Sequence, residues 1–94
     1  MLVIELTYLQ PIAVVERWLT QHQNFLDRYF SSGAFIASGA KVPRDGGIIL
    51  AMVNRDDIQS IIEQDPFYQH GVAEYRIREF QVSRSNNALT PLLD

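Results

Sequence analysis

The order of the first two elements is set by residues 2–31, LVIELTYLQPIAVVERWLTQHQNFLDRYFS. Residues 2–9 are rich in β-forming side chains and alternate with a period of two, which predicts a strand. From about residue 12 to residue 31, apolar side chains recur at steps of three and four, which predicts an amphipathic helix. Pro11 suits the start of this helix because its missing amide hydrogen costs nothing in a first turn.

The rest of the chain adds three strands and one more helix. The predicted elements are strands at residues 34–38, 48–53 and 72–80, a turn at residues 39–47 and a helix at residues 56–64. The turn is marked by Pro43 and by the sequence Asp45-Gly46-Gly47. The helix ends where Asp65 precedes Pro66, since the residue before a proline is disfavoured in helical geometry.

The resulting order, β-α-β-β-α-β, is that of the ferredoxin-like arrangement, an α+β fold. Right-handed crossovers place both helices on one face of a four-stranded antiparallel sheet. The other face also carries apolar groups such as Val3 and Leu9, so we expect a second copy to cover it in a homodimer. We expect one domain at residues 1–81 and a C-terminal arm at residues 82–94, at the dimer interface.

Composition excludes several classes of protein. The chain has 94 residues, enough for one core, with 8 Lys and Arg against 11 Asp and Glu, so nucleic acid is not expected as a partner. No cysteine is present, which excludes disulfides and thiolate metal sites and fits a reducing cytoplasm. Neither a secretion signal nor an apolar segment of roughly 20 residues is found, so no membrane association is expected.

The first candidate for chemistry is His22. It lies four residues after Trp18 and three before Phe25, which places it on the apolar stripe of the predicted helix and points it inward. One interpretation is a structural imidazole at the edge of the core, satisfied by local hydrogen bonds. The other is a general acid/base in a pocket, because an unperturbed histidine titrates at about pH 6.5.

The second candidate is Asp65, in the segment DPFYQHG at residues 65–71. Pro66 frees the Asp65 side chain to cap the turn that follows it. Alternatively, Asp65 orients a histidine ring, because a carboxylate bonded to one ring nitrogen fixes the tautomer. His70, beside Gly71, is predicted to be a solvated loop residue.

Three further residues are candidates for contact with a substrate: Ser38, Arg44 and Phe67. Arg44 belongs to a turn, and its guanidinium could clamp an anion if it faces the pocket. Ser38 lacks the G-x-S-x-G context of a nucleophile, which leaves binding as its role. No metal-binding spacing such as H-E-x-x-H occurs, so neither a metal nor another cofactor is expected.

Four segments in order resemble the YCII-related (YciI-like) family. They are His22 in the first helix, GAFIASG at residues 33–39, VPRDGGI at residues 42–48, and Asp65-Pro66-Phe67 followed by Gly71. The likeness covers about residues 1–81. It implies a dimeric α+β barrel and a small enzyme in which His22 and Asp65 approach each other and transfer a proton on a small lactone or cyclic acid. The chain departs from the family at residues 38–40, where many members have a Gly-Pro pair.

Our hypothesis is a cofactor-free homodimeric enzyme in which His22 is the acid/base, Asp65 orients its ring, and Ser38, Arg44 and Phe67 contact the substrate. The alternative is a non-catalytic dimeric module that binds a small metabolite or a partner protein, with His22 structural. A haem-dependent monooxygenase on the same fold is less favoured, since His22 is the one histidine predicted to point inward.

Overall fold

The computed structural model describes residues 1–93; Asp94, the last residue of the predicted arm, lies outside the described residues. The helices and strands, in chain order, are β1 (Leu2–Tyr8), α1 (Ile12–Ser31), β2 (Phe35–Ala40), β3 (Gly46–Ala51), α2 (Arg55–Ile62), α3 (Pro66–Gln69) and β4 (Ala73–Glu79). A single 3₁₀ turn at Thr90–Leu92 follows in the arm.

The four strands form one sheet in the order β2-β3-β1-β4, and every neighbouring pair is antiparallel. The first strand, β1, is central, with Ile4 opposite Ile49 on one side and Ile77 on the other. The predicted ferredoxin-like α+β fold, with its helices on one face of a four-stranded antiparallel sheet, is confirmed.

The core lies between the sheet and the helices. Leu2, Ile4 and Leu6 are nearly or fully buried, and they pack in one cluster with residues such as Val15 of α1 and Ile58 of α2. Burying each such side chain contributes about 1.5–3 kcal/mol, which explains why the period of two in β1 fixes which face meets the helices.

Apart from shifts of one or two residues at other ends, two regions of the fold differ from the prediction. β2 and β3 extend into the predicted turn, because Ala40 pairs with Gly47, so the connecting loop is only residues 41–45. A short helix, α3, also begins directly after Asp65. The Asp-Pro pair therefore ends one helix and begins another, since proline is well suited to the first position of a helix.

Gly46 allows β3 to lie closer to β1 than a residue with a side chain at this position would allow. A Cβ atom at this position would lie 1.8 Å from the carbonyl oxygen of Leu6 and 2.7 Å from its carbonyl carbon. Because these are backbone atoms of the central strand, neither can move aside without disturbing the sheet.

The variant Gly46→Ala is therefore expected to lower the free energy of unfolding by about 1–3 kcal/mol. Gly39→Ala is the matched control, since a Cβ atom at Gly39 has no other atom within 4 Å. Urea unfolding followed by circular dichroism measures both. Equal stability of the two variants would show that the close approach at Gly46 does not limit the fold.

Candidate active site

His22 lies on the inner side of α1 and is only 8% exposed, as its place on the apolar stripe predicted. Its ring stacks face to face on the ring of Phe67, with centroids 4.0 Å apart and planes 3° from parallel. Phe25 packs on the same ring at a centroid distance of 6.2 Å. These contacts hold the imidazole in one orientation.

The carboxylate of Asp65 contacts the His22 ring at Nδ1. Its Oδ1 lies 2.8 Å from Nδ1 of His22 and accepts a hydrogen bond of 3.0 Å from the backbone N–H of Phe67. Its Oδ2 accepts a hydrogen bond from the hydroxyl of Tyr75 at 2.5 Å. Asp65 is fully buried, so the protein supplies all of these partners. The structure thus combines both interpretations of Asp65, since it caps α3 and also binds a histidine ring.

The hydrogen bonds assign the tautomer of His22. A carboxylate can only accept, so Nδ1 carries the hydrogen, and in the neutral ring Nε2 is then the free base. Nε2 has no hydrogen-bond partner among residues 1–93. Every buried side-chain nitrogen or oxygen in that part of the chain has a partner, so Nε2 is not a buried atom. Nε2 is therefore in contact with solvent, where it can accept a proton.

Tyr75 projects from β4 and completes the buried group. Burial, together with the negative charge of Asp65 and the hydrogen bond to it, raises the pKa of the Tyr75 phenol above its usual range. The phenol consequently keeps its hydrogen and remains a donor to Asp65 at all pH values at which histidine chemistry operates.

This raised pKa predicts a pH dependence of stability. A proton that the folded state holds more tightly than the unfolded state stabilises folding below the unfolded pKa, about 10 for tyrosine, and that contribution is lost as the pH rises above it. We expect the free energy of unfolding to fall more steeply above about pH 10 in the wild type than in Tyr75→Phe. Urea unfolding at pH 9 and pH 11 measures the difference, and parallel curves would contradict the assignment.

A cavity of about 420 Å³ opens beside the His22 ring, between α1 and the β2–β3 half of the sheet. This volume lies within the range of ligand sites for small molecules. The cavity is lined by four of the five residues singled out in the sequence: His22, Ser38, Arg44 and Phe67. Asp65 does not line it, so its carboxylate reaches the cavity only through the imidazole.

Glycines keep this cavity open. Gly39, Gly46 and Gly47 line its sheet side and place no side chain there. Gly47 pairs with Leu6 on one neighbouring strand and with Ala40 on the other. A Cβ atom at Gly47 would lie 3.0 Å from the carbonyl oxygen of Gly39, across the β2–β3 pair.

Arg44 lies at the rim, but it is already paired. Its Nη1 donates to Oε1 of Glu16 at 2.8 Å, and the two side chains are 39% and 49% exposed. Hydrogen bonds to Glu16 and Tyr8 raise the pKa of Arg44 further above its usual high value, so the guanidinium is permanently charged. Arg44 thus lines the pocket, and the anion that it binds here is a side chain of α1.

Sequence reasoning missed Tyr75 and Glu16. Tyr75 alternates with Ala73 and Ile77 on the inward side of β4, so a hydroxyl on an apolar face was the available signal. Glu16, Leu19 and His22 are spaced three residues apart, so they lie on one side of α1, and all three line the cavity. His70 is exposed, as predicted, and stacks on Trp18 away from the cavity, with centroids 3.7 Å apart.

Among residues 1–93, no group of three or more His, Cys, Asp or Glu side chains is placed to hold a metal ion. In the same range, no helix has both the length and the apolar character needed to cross a bilayer.

Comparison with known families identifies the family of this chain. The model of the YCII-related domain matches residues 1–81, which include every strand, all three helices and each residue of the site. The chain belongs to the YCII-related family. The resemblance inferred from the sequence is thereby confirmed. Residues 82–93 follow the matched YCII-related segment.

The fold of this YCII-related domain is also that of a solved enzyme. Its structure is similar to that of 5-chloro-2-hydroxyhydroquinone dehydrochlorinase (TftG) from Burkholderia phenoliruptrix AC1100, solved in complex with 2,5-dihydroxybenzoquinone. The TM-score is 0.71 at 16% sequence identity, over 86% of this chain and 94% of that one. At this identity the likeness establishes the fold alone. No curated protein matches the sequence.

Proposed function

We propose that this YCII-related domain is a small acid/base enzyme in which Nε2 of His22 exchanges a proton with a cyclic substrate. The observation that carries the proposal is the contact of 2.8 Å between Nδ1 of His22 and the buried carboxylate of Asp65, with the same ring lining a cavity. A base held by a buried carboxylate, with its second nitrogen open, is the arrangement that proton transfer requires.

The step needs only side chains of this chain. Nε2 takes a proton from a C–H or O–H acid, and Asp65 stabilises the imidazolium that forms. The electron pair left on the substrate moves into the ring system. There it either shifts a double bond, after which the imidazolium returns the proton to another atom of the substrate, or it expels a leaving group with its electrons, after which the imidazolium releases the proton to solvent. Ser38, Arg44 and Phe67, which line the cavity, would contact the substrate.

The substrate class that we propose is a small cyclic acid, lactone or hydroxylated ring. The size of the cavity suits a single ring with its substituents. The structural neighbour is named for a hydroxylated, chlorinated ring, so 5-chloro-2-hydroxyhydroquinone is the first compound to test.

The experiment is a screen for proton transfer. The protein is incubated in D₂O with a panel of small lactones, cyclic acids and 5-chloro-2-hydroxyhydroquinone, while NMR follows deuterium incorporation and an electrode follows chloride release. We expect at least one compound to react about 10²-fold or more faster than in buffer. Rates equal to buffer across the whole panel would contradict the proposal for this substrate class.

A second candidate is the non-catalytic module that binds a small metabolite or a partner protein. The complete burial of Asp65 favours it, because all of the hydrogen bonds of that carboxylate are also explained by a structural role. Saturable binding of a ring compound without turnover, in protein whose His22 variants bind equally well, would support this alternative.

We also propose that two copies associate through the sheet face opposite the helices. Val3 and Leu50, neighbours across β1 and β3, are half-buried on that face. Residues 82–93, with the exposed Leu89 and Leu92, form the proposed arm at this interface. Sedimentation equilibrium should give twice the chain mass, and removal of residues 82–94 should weaken the association.

A further inference from the structure

We propose that the substrate of this site carries a negative charge, that Arg44 binds that charge, and that Glu16 determines specificity by competing for the same guanidinium. The inference rests on the proposed function in one respect, namely that the substrate occupies the cavity at His22. It adds the charge of the substrate and the residue that tunes its recognition.

The charges around the cavity are few. Among the described residues that line it, Arg44 and Glu16 are the only Asp, Glu, Lys or Arg side chains. They bind each other, so their charges cancel. A neutral substrate has no charge with which to displace Glu16, whereas an anion offers the guanidinium a replacement for it.

The ion pair between Arg44 and Glu16 is weak enough for an anionic substrate to replace Glu16. It consists of one contact, between Nη1 of Arg44 and Oε1 of Glu16, although a guanidinium has five N–H donors. Both side chains are partly exposed, and ion pairs in that setting contribute little to stability. A carboxylate or phenolate inside the cavity would be less hydrated and could accept two parallel hydrogen bonds from Arg44.

Only Glu16 needs to move for this exchange. The loop that carries Arg44 is fastened at both ends, since the backbone N–H of Tyr8 donates to the carbonyl of Asp45 at 2.8 Å and that of Lys41 donates to the carbonyl of Gly46 at 3.0 Å. Lys41 Nζ also donates to Glu5 at 3.1 Å. The side chain of Glu16 is 49% exposed at the cavity, so it can rotate into solvent while the guanidinium stays at the rim.

The proposed proton transfer gives Arg44 a second role, which is to stabilise negative charge on the substrate. Removal of a proton by His22 leaves negative charge on the substrate, and a fixed cation near that charge lowers the barrier. Apart from the imidazolium itself, Arg44 is the only cation that the described lining offers. The same residue would therefore bind an anionic substrate and stabilise the charge that develops during the reaction.

The test compares two probes of equal shape and different charge, 4-hydroxybenzoate and 4-hydroxybenzamide, by NMR titration. For 4-hydroxybenzoate, Glu16→Gln should bind about tenfold more tightly than the wild type, and Arg44→Gln about tenfold more weakly. For 4-hydroxybenzamide, both variants should stay within about twofold of the wild type. Arg17→Gln, an exposed residue of α1 outside the cavity lining, is the matched control and should change neither affinity.

Three results would overturn the inference: no gain for the anion in Glu16→Gln, no loss in Arg44→Gln, or no binding of the anion to Glu16→Gln at 10 mM. His22→Asn lacks the proposed base but keeps Arg44 and Glu16, so it should retain the charge selectivity of the wild type, and the inference can fail separately from the proposed function. Charge-selective binding without turnover in the wild type contradicts the enzyme alone, whereas turnover without charge selectivity contradicts the role of Arg44 and Glu16.

Discussion

The variant His22→Asn is expected to lower turnover by about 10²–10⁴-fold, because it removes the imidazole that lines the cavity and is oriented by Asp65. Asparagine is chosen because its amide N–H can replace Nδ1 as a donor to Oδ1 of Asp65, which keeps that buried carboxylate paired. Loss of activity can then be separated from loss of folding. The measurement is kcat/KM on the substrate that the screen identifies, together with the midpoint of urea unfolding.

The control for this prediction is His70→Asn. His70 is exposed and stacks on Trp18 without lining the cavity, so its replacement should leave kcat/KM within about twofold of the wild type. If His22→Asn turns substrate over at the wild-type rate, His22 is not the base. A large loss of stability in His22→Asn with unchanged turnover would identify His22 as a structural residue, as the non-catalytic module requires.

The second large effect is expected on stability, at Asp65. The variant Asp65→Leu deprives three donors of their acceptor: Nδ1 of His22, the backbone N–H of Phe67 and the hydroxyl of Tyr75. Each buried donor left without an acceptor costs about 1–3 kcal/mol, so the loss of all three contacts should cost roughly 3–5 kcal/mol. We expect a loss of that size in the free energy of unfolding, measured by urea denaturation at pH 7.

Two further variants test the cause of that loss. Asp65→Asn keeps one acceptor oxygen and a similar volume, so it should lose clearly less stability than Asp65→Leu. Tyr75→Phe removes one of the stranded donors, so adding it to Asp65→Leu should cost less than Tyr75→Phe costs in the wild type. Additive losses in this double-mutant cycle would show that Tyr75 and Asp65 stabilise the fold independently.

Asp65 therefore contributes both to the stability of the fold and to the orientation of the proposed base. The same carboxylate begins α3, by accepting the N–H of Phe67, and fixes the tautomer of His22. Phe67 in turn stacks on the imidazole. The Asp-Pro-Phe segment thus orients the proposed base from two directions.

Much of the fold could be predicted from the sequence because it depends on local periodicity. The bounds of α1, Ile12–Ser31, agree with the prediction, since a long apolar stripe flanked by Pro11 and Gly33 leaves few alternatives. β1 and β4 lie within one or two residues of their predicted bounds. The extension of β2 and β3 was missed because glycines lack strand propensity, and at Gly46 the close approach to Leu6 outweighs propensity.

The site could be predicted only in part. The position of His22 on the inner side of α1 follows from spacing, whereas its pairing with Asp65, 43 residues away, was implied by the family resemblance and not by any local pattern. Arg44 was expected to face the pocket, but its partner Glu16 is 28 residues distant along the chain.

The sequence by itself determined the order of helices and strands, the inward direction of His22 and the membership of the family, because each depends on residue types at fixed spacing. Only the tertiary structure decided that Asp65 is sealed behind the imidazole with Tyr75, and that Glu16 holds Arg44 at the rim. Those contacts join different elements, and their geometry is set by how the sheet and helices pack, which no spacing along the chain encodes.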